Sequence, residues 1–284
     1  VTLASTRSLV DDAAERGGAV PSFNVITLDN AEAIVAGAEQ AGCGVLLQLS
    51  ENALAWHGAP EPILAACREL ALAAAVPIGI HLDHIQDDAL VERMLPRAVE
   101  LGVGSIMYDA SKLAYADNVT ATTTLARRAQ QLGLWVEAEL GEIGGKDGAH
   151  APGVRTHPDE ARAFVEATGV DGLAVAVGSS HAMRDRSAEL DIALIRELAL
   201  RVSVPLVLHG SSGVSDAGIA DAVRAGIRKV NVGTALSIAS TAALRSSLAG
   251  QPDAVDPRKY SRAARSDTAA LVAHLCEVIA DPAR

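Results

Sequence analysis

Val76-Pro-Ile-Gly-Ile-His-Leu-Asp-His84 is an apolar run that ends abruptly on Asp83 and His84. Two later runs end in the same way, Gly172-Leu-Ala-Val-Ala-Val-Gly-Ser-Ser-His181 and Pro205-Leu-Val-Leu-His209. Short aliphatic runs of this kind read as strands buried on both faces, which is the pattern of a parallel sheet covered by helices. If the three strands are parallel members of one closed sheet, their C-terminal ends share a rim and His84, His181 and His209 converge there. Three neutral imidazoles around an open fourth position are the donor set of a catalytic zinc ion.

The barrel follows from what flanks these runs. Strand-like segments recur at 21–26, 45–50, 78–83, 105–109, 135–141, 172–178, 205–210 and 229–234, eight in all. Helix-like segments lie between them at 29–41, 60–74, 87–101, 118–132, 158–168, 191–202, 216–225 and 235–249. Several open on a capping type (Asp29, Asp87, Asn118, Asp216) and several close on glycine (Gly42, Gly102, Gly133, Gly169, Gly226). Eight such units predict an α/β fold, a (β/α)8 TIM barrel. The competitor is a doubly wound open sheet, which usually carries a glycine-rich turn after its first strand. Here that turn reads Ile26-Thr-Leu-Asp29, without glycine. The expected organisation is one barrel domain over 1–284, with 253–284 a C-terminal helical extension packed on the barrel or on a partner subunit. The glycine-rich loop 142–157 is a candidate lid over the rim.

Composition narrows the function. A net charge of −11 disfavours nucleic acid and anionic membrane as partners. Aromatics at 2% leave little surface for stacking bases. Cys43, Cys67 and Cys276 are an odd, scattered set without CxxC spacing, which fits a reducing, cytoplasmic location. No run of about 20 apolar residues is present to span a membrane, and none resembles a signal peptide.

Four of the eight histidines, His81, His84, His181 and His209, fall at or near strand ends. In an extended strand His81 and Asp83 share a face, so His84 joins the site only if the strand stops at Asp83 and His84 swings over the rim. Phosphate has its own signature. His209-Gly-Ser-Ser-Gly213 leaves strand seven and Asn231-Val-Gly-Thr234 leaves strand eight, where barrels bind phosphate through backbone N–H groups and a helix N-terminus. Gly210 and Gly213 permit close approach, and Ser212 and Thr234 carry donor hydroxyls. Asp83 is placed for proton exchange beside a metal. Asp109, Glu137 and Glu139 are candidates for charge tuning, Asp109 and Glu139 for a second cation. A Schiff-base lysine is disfavoured: Lys112 and Lys146 are loop residues, Lys259 is in the tail, and Lys229 opens strand eight at the wrong end.

These segments, with Phe23-Asn-Val25, Ile106-Met-Tyr-Asp-Ala-Ser111, Val136-Glu-Ala-Glu-Leu-Gly-Glu-Ile-Gly-Gly145 and Asp256-Pro-Arg-Lys-Tyr260, resemble the class II metal-dependent ketose-bisphosphate aldolases, in family order over nearly the whole chain. The resemblance implies Zn²⁺ on His84, His181 and His209, with a monovalent cation near the phosphate site. It implies Asp83 as the acid/base on the C4 hydroxyl, and phosphate binding by Gly210, Ser212, Asn231 and Thr234. Asn24 and Ser50 match positions near the other half of the substrate. Arg258 matches an arginine that reaches a second phosphate from a neighbouring subunit, so a homodimer or homotetramer is implied. The reaction implied is reversible cleavage of a fructose- or tagatose-1,6-bisphosphate type ketose to dihydroxyacetone phosphate and an aldehyde, through a metal-stabilised enediolate. Three positions depart from the family pattern. Asp147 stands nearest the glutamate that carries the C1 proton, Ala182 replaces a glycine, and Lys112 replaces a histidine. The alternatives are a metal-dependent barrel hydrolase, which needs no phosphate loops, and a non-catalytic aldolase-like subunit, which has no use for the histidines and Asp83.

Overall fold

Each apolar run becomes a strand, and every adjacent pair of strands is parallel. In this computed structural model, which describes residues 3–140, 155–180, 183 and 185–281, the strands are β1 Val20–Asn24, β2 Val45–Ser50, β3 Ile78–Ile85, β4 Ser105–Tyr108, β5 Trp135–Glu139, β6 Gly172–Ala174, β7 Leu206–Leu208 and β8 Ile227–Val232. They form a closed ring in chain order, with β1 paired to β8 through Val20–Phe23 against Lys229–Val232. The fold is a TIM barrel.

The helices ring the barrel: α1 Thr6–Glu15, α2 Leu28–Ala41, α3 Glu51–His57, α4 Pro60–Ala73, α5 Asp88–Met94, α6 Tyr115–Gln131, α7 Pro158–Thr168, α8 Ile192–Arg201, α9 Asp216–Ala225, α10 Thr234–Gly250 and α11 Pro257–Ala280. Asp87 caps α5 as expected, but Thr27 and Ser215 cap α2 and α9, with Asp29 and Asp216 in the first turns. Asn118 caps nothing. It lies inside α6, buried, and donates its amide to the carbonyls of Glu139 and Leu140, tying the helix to the end of β5. Among the described residues no helix is long and apolar enough to cross a membrane.

Two apolar layers hold the ring. One lies between strands and helices, around Phe23, Leu47, Ile80, Ile106 and Phe164. The other fills the lower barrel, where Val20, Leu46, Met107, Trp135 and Val207 meet Leu9, Val10 and Ala13 of α1. That helix, unforeseen from the sequence, closes the N-terminal mouth. Thr6 Oγ1 bonds Ser105 Oγ at 2.6 Å and Ala4 N–H donates to Ile78 O at 2.8 Å. The tail forms α11, which packs on α2 and α10. A methyl at Gly37 of α2 would stand 2.4 Å from the Ala269 carbonyl oxygen, so the two helix backbones approach closely.

Two strands depart from expectation in ways that shape the site. β3 does not stop at Asp83 but runs to Ile85 with a register shift against β4. β8 begins at Ile227, so Lys229 does not open the strand but is its third residue, fully buried low in the barrel beside Val20 of β1.

Candidate active site

Along each strand the residues alternate between the outer helical layer and the barrel interior. Above the apolar floor the inward positions are polar: Ser22 and Asn24, Gln48 and Ser50, His81 and Asp83, Glu137 and Glu139, Lys229 and Asn231. They form two tiers, a buried lower one and an upper one that opens into a cavity of about 670 Å³ at the C-terminal mouth.

The upper tier is built around β3. Leu82 pairs with Ile106 and Ile85 with Tyr108, so three residue steps on β3 face two on β4. This is a β-bulge, with His84 in left-handed backbone at φ 50°. The extra residue is what lets neighbouring Asp83 and His84 both face the cavity, which a regular strand forbids. His84 Nε2 lies 3.0 Å from His209 Nδ1, and the ring centroids are 4.8 Å apart at 79°. Asp83, His84 and His209 offer ligand atoms all within 4.8 Å of one another, a group able to hold a metal ion. His181 and Asp147 lie outside the described residues.

Each imidazole is held from behind by a carboxylate. His84 Nδ1 contacts Asp109 Oδ2 at 3.2 Å, and His209 Nε2 contacts Glu137 Oε1 at 2.8 Å. A carboxylate only accepts, so each ring carries an N–H on the nitrogen that faces it, and the nitrogens facing each other are the ones left for a shared proton or a metal ion. Asp109 is fixed in turn by Gln86 Nε2 at 2.7 Å and by Ser111, whose N–H and hydroxyl both donate to it. Both of its oxygens are thus engaged in orienting neighbours. Glu139 lines the cavity wall.

Burial disfavours a charged His84, but the Asp83 carboxylate, the bond to Asp109 and Glu139 nearby overcome this and raise its pKa to about 10. Burial alone would raise the Asp83 carboxyl. The charge of His84, the bond to His81 and the charge of His209 instead hold it well below the usual carboxylate range. Asp83 also accepts from Gln48 Nε2 at 3.0 Å and Asn231 Nδ2 at 3.3 Å. These are the contacts of an ionised carboxylate.

In the lower tier Glu137 was a candidate for charge tuning and His81 one of the strand-end histidines, whereas Gln48 and Lys229 were not anticipated as part of the site. Lys229 Nζ donates to Glu137 Oε2 at 2.8 Å and to Asn231 Oδ1 at 2.7 Å, and all three residues are buried. His81 is not a cavity residue. It is fully buried, 2.8 Å from Ser105 Oγ, and burial together with the Lys229 charge lowers its pKa. The amide orientations follow: Asn231 must turn Nδ2 toward Asp83, and Asn24, whose Oδ1 accepts from Gln48 Nε2 at 2.7 Å, turns Nδ2 toward the cavity. Gln48 and Lys229 carried a signal in the sequence, namely polar residues at every second position of otherwise apolar strands.

The loops after β7 and β8, where phosphate binding is expected, line the cavity through Gly210, Ser212, Gly233, Thr234 and Ser237. Gly210 sits at φ 65°, where a Cβ would be 2.6 Å from the Ser180 carbonyl oxygen, so no larger residue fits. Ser212 Oγ accepts from Ala235 N–H at 3.0 Å, leaving its own O–H to donate. Thr234 is the first residue of α10, whose positive end faces this wall. Ser50 also lines the cavity while capping α3. Arg258 is not brought here by its own chain. It is tied to Asp256 by several bonds and lines a separate cavity with Asp29, Arg262 and Arg265.

Comparison with known proteins agrees with this fold. The chain is similar to the YdjI aldolase from Escherichia coli K12, at 29% identity over 97% of each chain with a TM-score of 0.84. It also superposes on fructose-bisphosphate aldolase (Fba) from Campylobacter jejuni, with a TM-score of 0.83 over 98% of this chain and 95% of that one. At 21% identity that likeness speaks for the fold alone. A family model described as fructose-bisphosphate aldolase class-II matches residues 4–282. The chain belongs to the class-II fructose-bisphosphate aldolase family.

Proposed function

We propose that this chain is a zinc-dependent aldolase that reversibly cleaves a phosphorylated ketose to dihydroxyacetone phosphate and an aldehyde. The observation that carries the reading is the facing pair His84 Nε2 and His209 Nδ1, 3.0 Å apart, each ring backed by a carboxylate. Two lone pairs converging in this way repel unless an ion or a proton lies between them. His84 and His209 would hold the ion, with His181 as third ligand and Glu139 beside them for a second cation.

When bound, a divalent cation supplies Lewis acidity that takes up the negative charge released as the carbon–carbon bond breaks. The protein residues do the rest. Asp83, ionised and held by Gln48 and Asn231, removes the proton of the C4 hydroxyl in cleavage and returns it in condensation. Gly210, Ser212, Asn231 and Thr234 hold the phosphate of the dihydroxyacetone half, and this fixes C3 relative to Asp83. Asn24 and Ser50 contact the other half. Asp147 carries the proton at C1. Arg258 would serve a neighbouring subunit in a homo-oligomer.

The test is metal analysis of the purified protein and an assay of triose-phosphate release from fructose- and tagatose-1,6-bisphosphate. Chelation should abolish release, and added zinc should restore it. Full activity after exhaustive chelation overturns the reading.

A further inference from the structure

The cavity has two ends, and the loops after β7 and β8 form only one of them. In a closed ring of eight strands β3 and β4 stand across from β7 and β8, so a substrate whose phosphate sits on the β7–β8 loops extends toward the loops after β3 and β4. On that far wall stands Lys112, the only lysine or arginine among the described residues lining the cavity. Its ammonium makes no ion pair with any described residue. The bond it does make is to a neutral acceptor, Gln86 Oε1, at 3.0 Å.

This placement is built by the surrounding bonds. Lys112 follows a turn closed by Ser111 N–H and Oγ on Asp109. Gln86 is gripped twice, its backbone N–H by Glu51 at 2.7 Å and its Nε2 by Asp109 at 2.7 Å. Because Nε2 is committed to Asp109, Oε1 is the atom turned to Lys112. Two acids of the same wall are engaged in the same way: Glu51 also accepts from Asp87 N–H at 2.8 Å, and Asp109 orients His84. A lysine held by one bond to a neutral acceptor, at the edge of a cavity where Glu51 and Asp109 are engaged by other groups, leaves a positive charge for a ligand.

We propose that Lys112 reads an anionic group on the aldehyde half of the substrate, so that the acceptor aldehyde carries a carboxylate or a phosphate recognised within one chain. This rests on the aldolase reading and names the substrate class for that site.

The zinc-loaded enzyme is assayed in condensation with dihydroxyacetone phosphate and three acceptors: glyceraldehyde 3-phosphate, succinic semialdehyde and uncharged glyceraldehyde. In Lys112→Met, kcat/KM for at least one anionic acceptor should fall about tenfold or more relative to the change for glyceraldehyde, the size of one lost charge-assisted contact. Lys112→Arg should retain most of the discrimination. A selective fall for the phosphorylated acceptor assigns a phosphate, and one for the semialdehyde a carboxylate. Equal changes for charged and neutral acceptors overturn the proposal, as does a selective loss seen in Arg258→Ala and not in Lys112→Met. If the wild type condenses none of the three and also releases no triose phosphate from fructose- or tagatose-1,6-bisphosphate, the aldolase reading fails. Lys112 is then decided by calorimetric titration of succinate and 2-phosphoglycolate in the presence of dihydroxyacetone phosphate. Weaker binding of either to Lys112→Met supports the proposal, and equal affinity for both overturns it.

Discussion

His84 is the residue on which the site turns. Left-handed backbone costs a non-glycine residue on the order of 1–3 kcal/mol, and the surrounding β3–β4 pairing sustains it. The return is that Asp83 and His84, adjacent in sequence, serve the same cavity in different roles. Those roles are separable. His209→Ala should leave the protein folded but without tightly bound zinc, as read by metal analysis after dialysis. Asp83→Ala should keep the metal and lose nearly all cleavage, and a variant that cleaves at the wild-type rate would remove Asp83 from the chemistry. The bond from His209 to Glu137 gives a third expectation. Glu137→Gln should weaken metal binding by about 10- to 100-fold, the usual range for a lost orienting partner, as measured by competition with a chelating dye. At this scale the sequence was readable in which residues meet at one cavity, namely His84, His209, Asp83 and the loops after β7 and β8. It was misleading about Lys229, whose place inside the barrel depends on β8 starting two residues before the apolar pattern suggests.

The elements explain that difference. Apolar runs and capped helices fix where strands and helices lie, because burial and capping are local properties of the chain. A bulge or a one-step shift in pairing is decided by the neighbouring strand, and nothing in HLDH itself announces that β3 continues past His84. Close approach between elements is equally nonlocal. Gly172 faces the Trp135 ring, and a methyl there would lie 2.3 Å from its Cη2. Gly172→Ala should therefore cost about 1–3 kcal/mol through forced repacking of the lower barrel, seen as a lower Tm. An unchanged Tm would show that Trp135 has room to move.

For the molecule as a whole, the barrel interior is divided between an apolar floor and a polar column, and the column is where stability and function compete. Removing one member of a buried ion pair typically costs about 3–5 kcal/mol, because its partner's charge is left stranded. Lys229→Met should destabilise the protein on that order, and Lys229→Met combined with Glu137→Gln should recover part of the loss, both by thermal melting. If Lys229→Met melts with the wild type, the pair contributes nothing to stability.

The helix across the lower mouth has a further effect. With α1 seated under the ring, the ammonium of Lys229 and the imidazole of His81 are shut off from bulk water below, and the route above passes Asp83. The barrel is in effect a corked bottle. Hydrogens on that inner column trade with solvent only through the neck, so a bound sugar phosphate acts as the stopper, and isotope exchange at those groups becomes a clock for how often the substrate leaves.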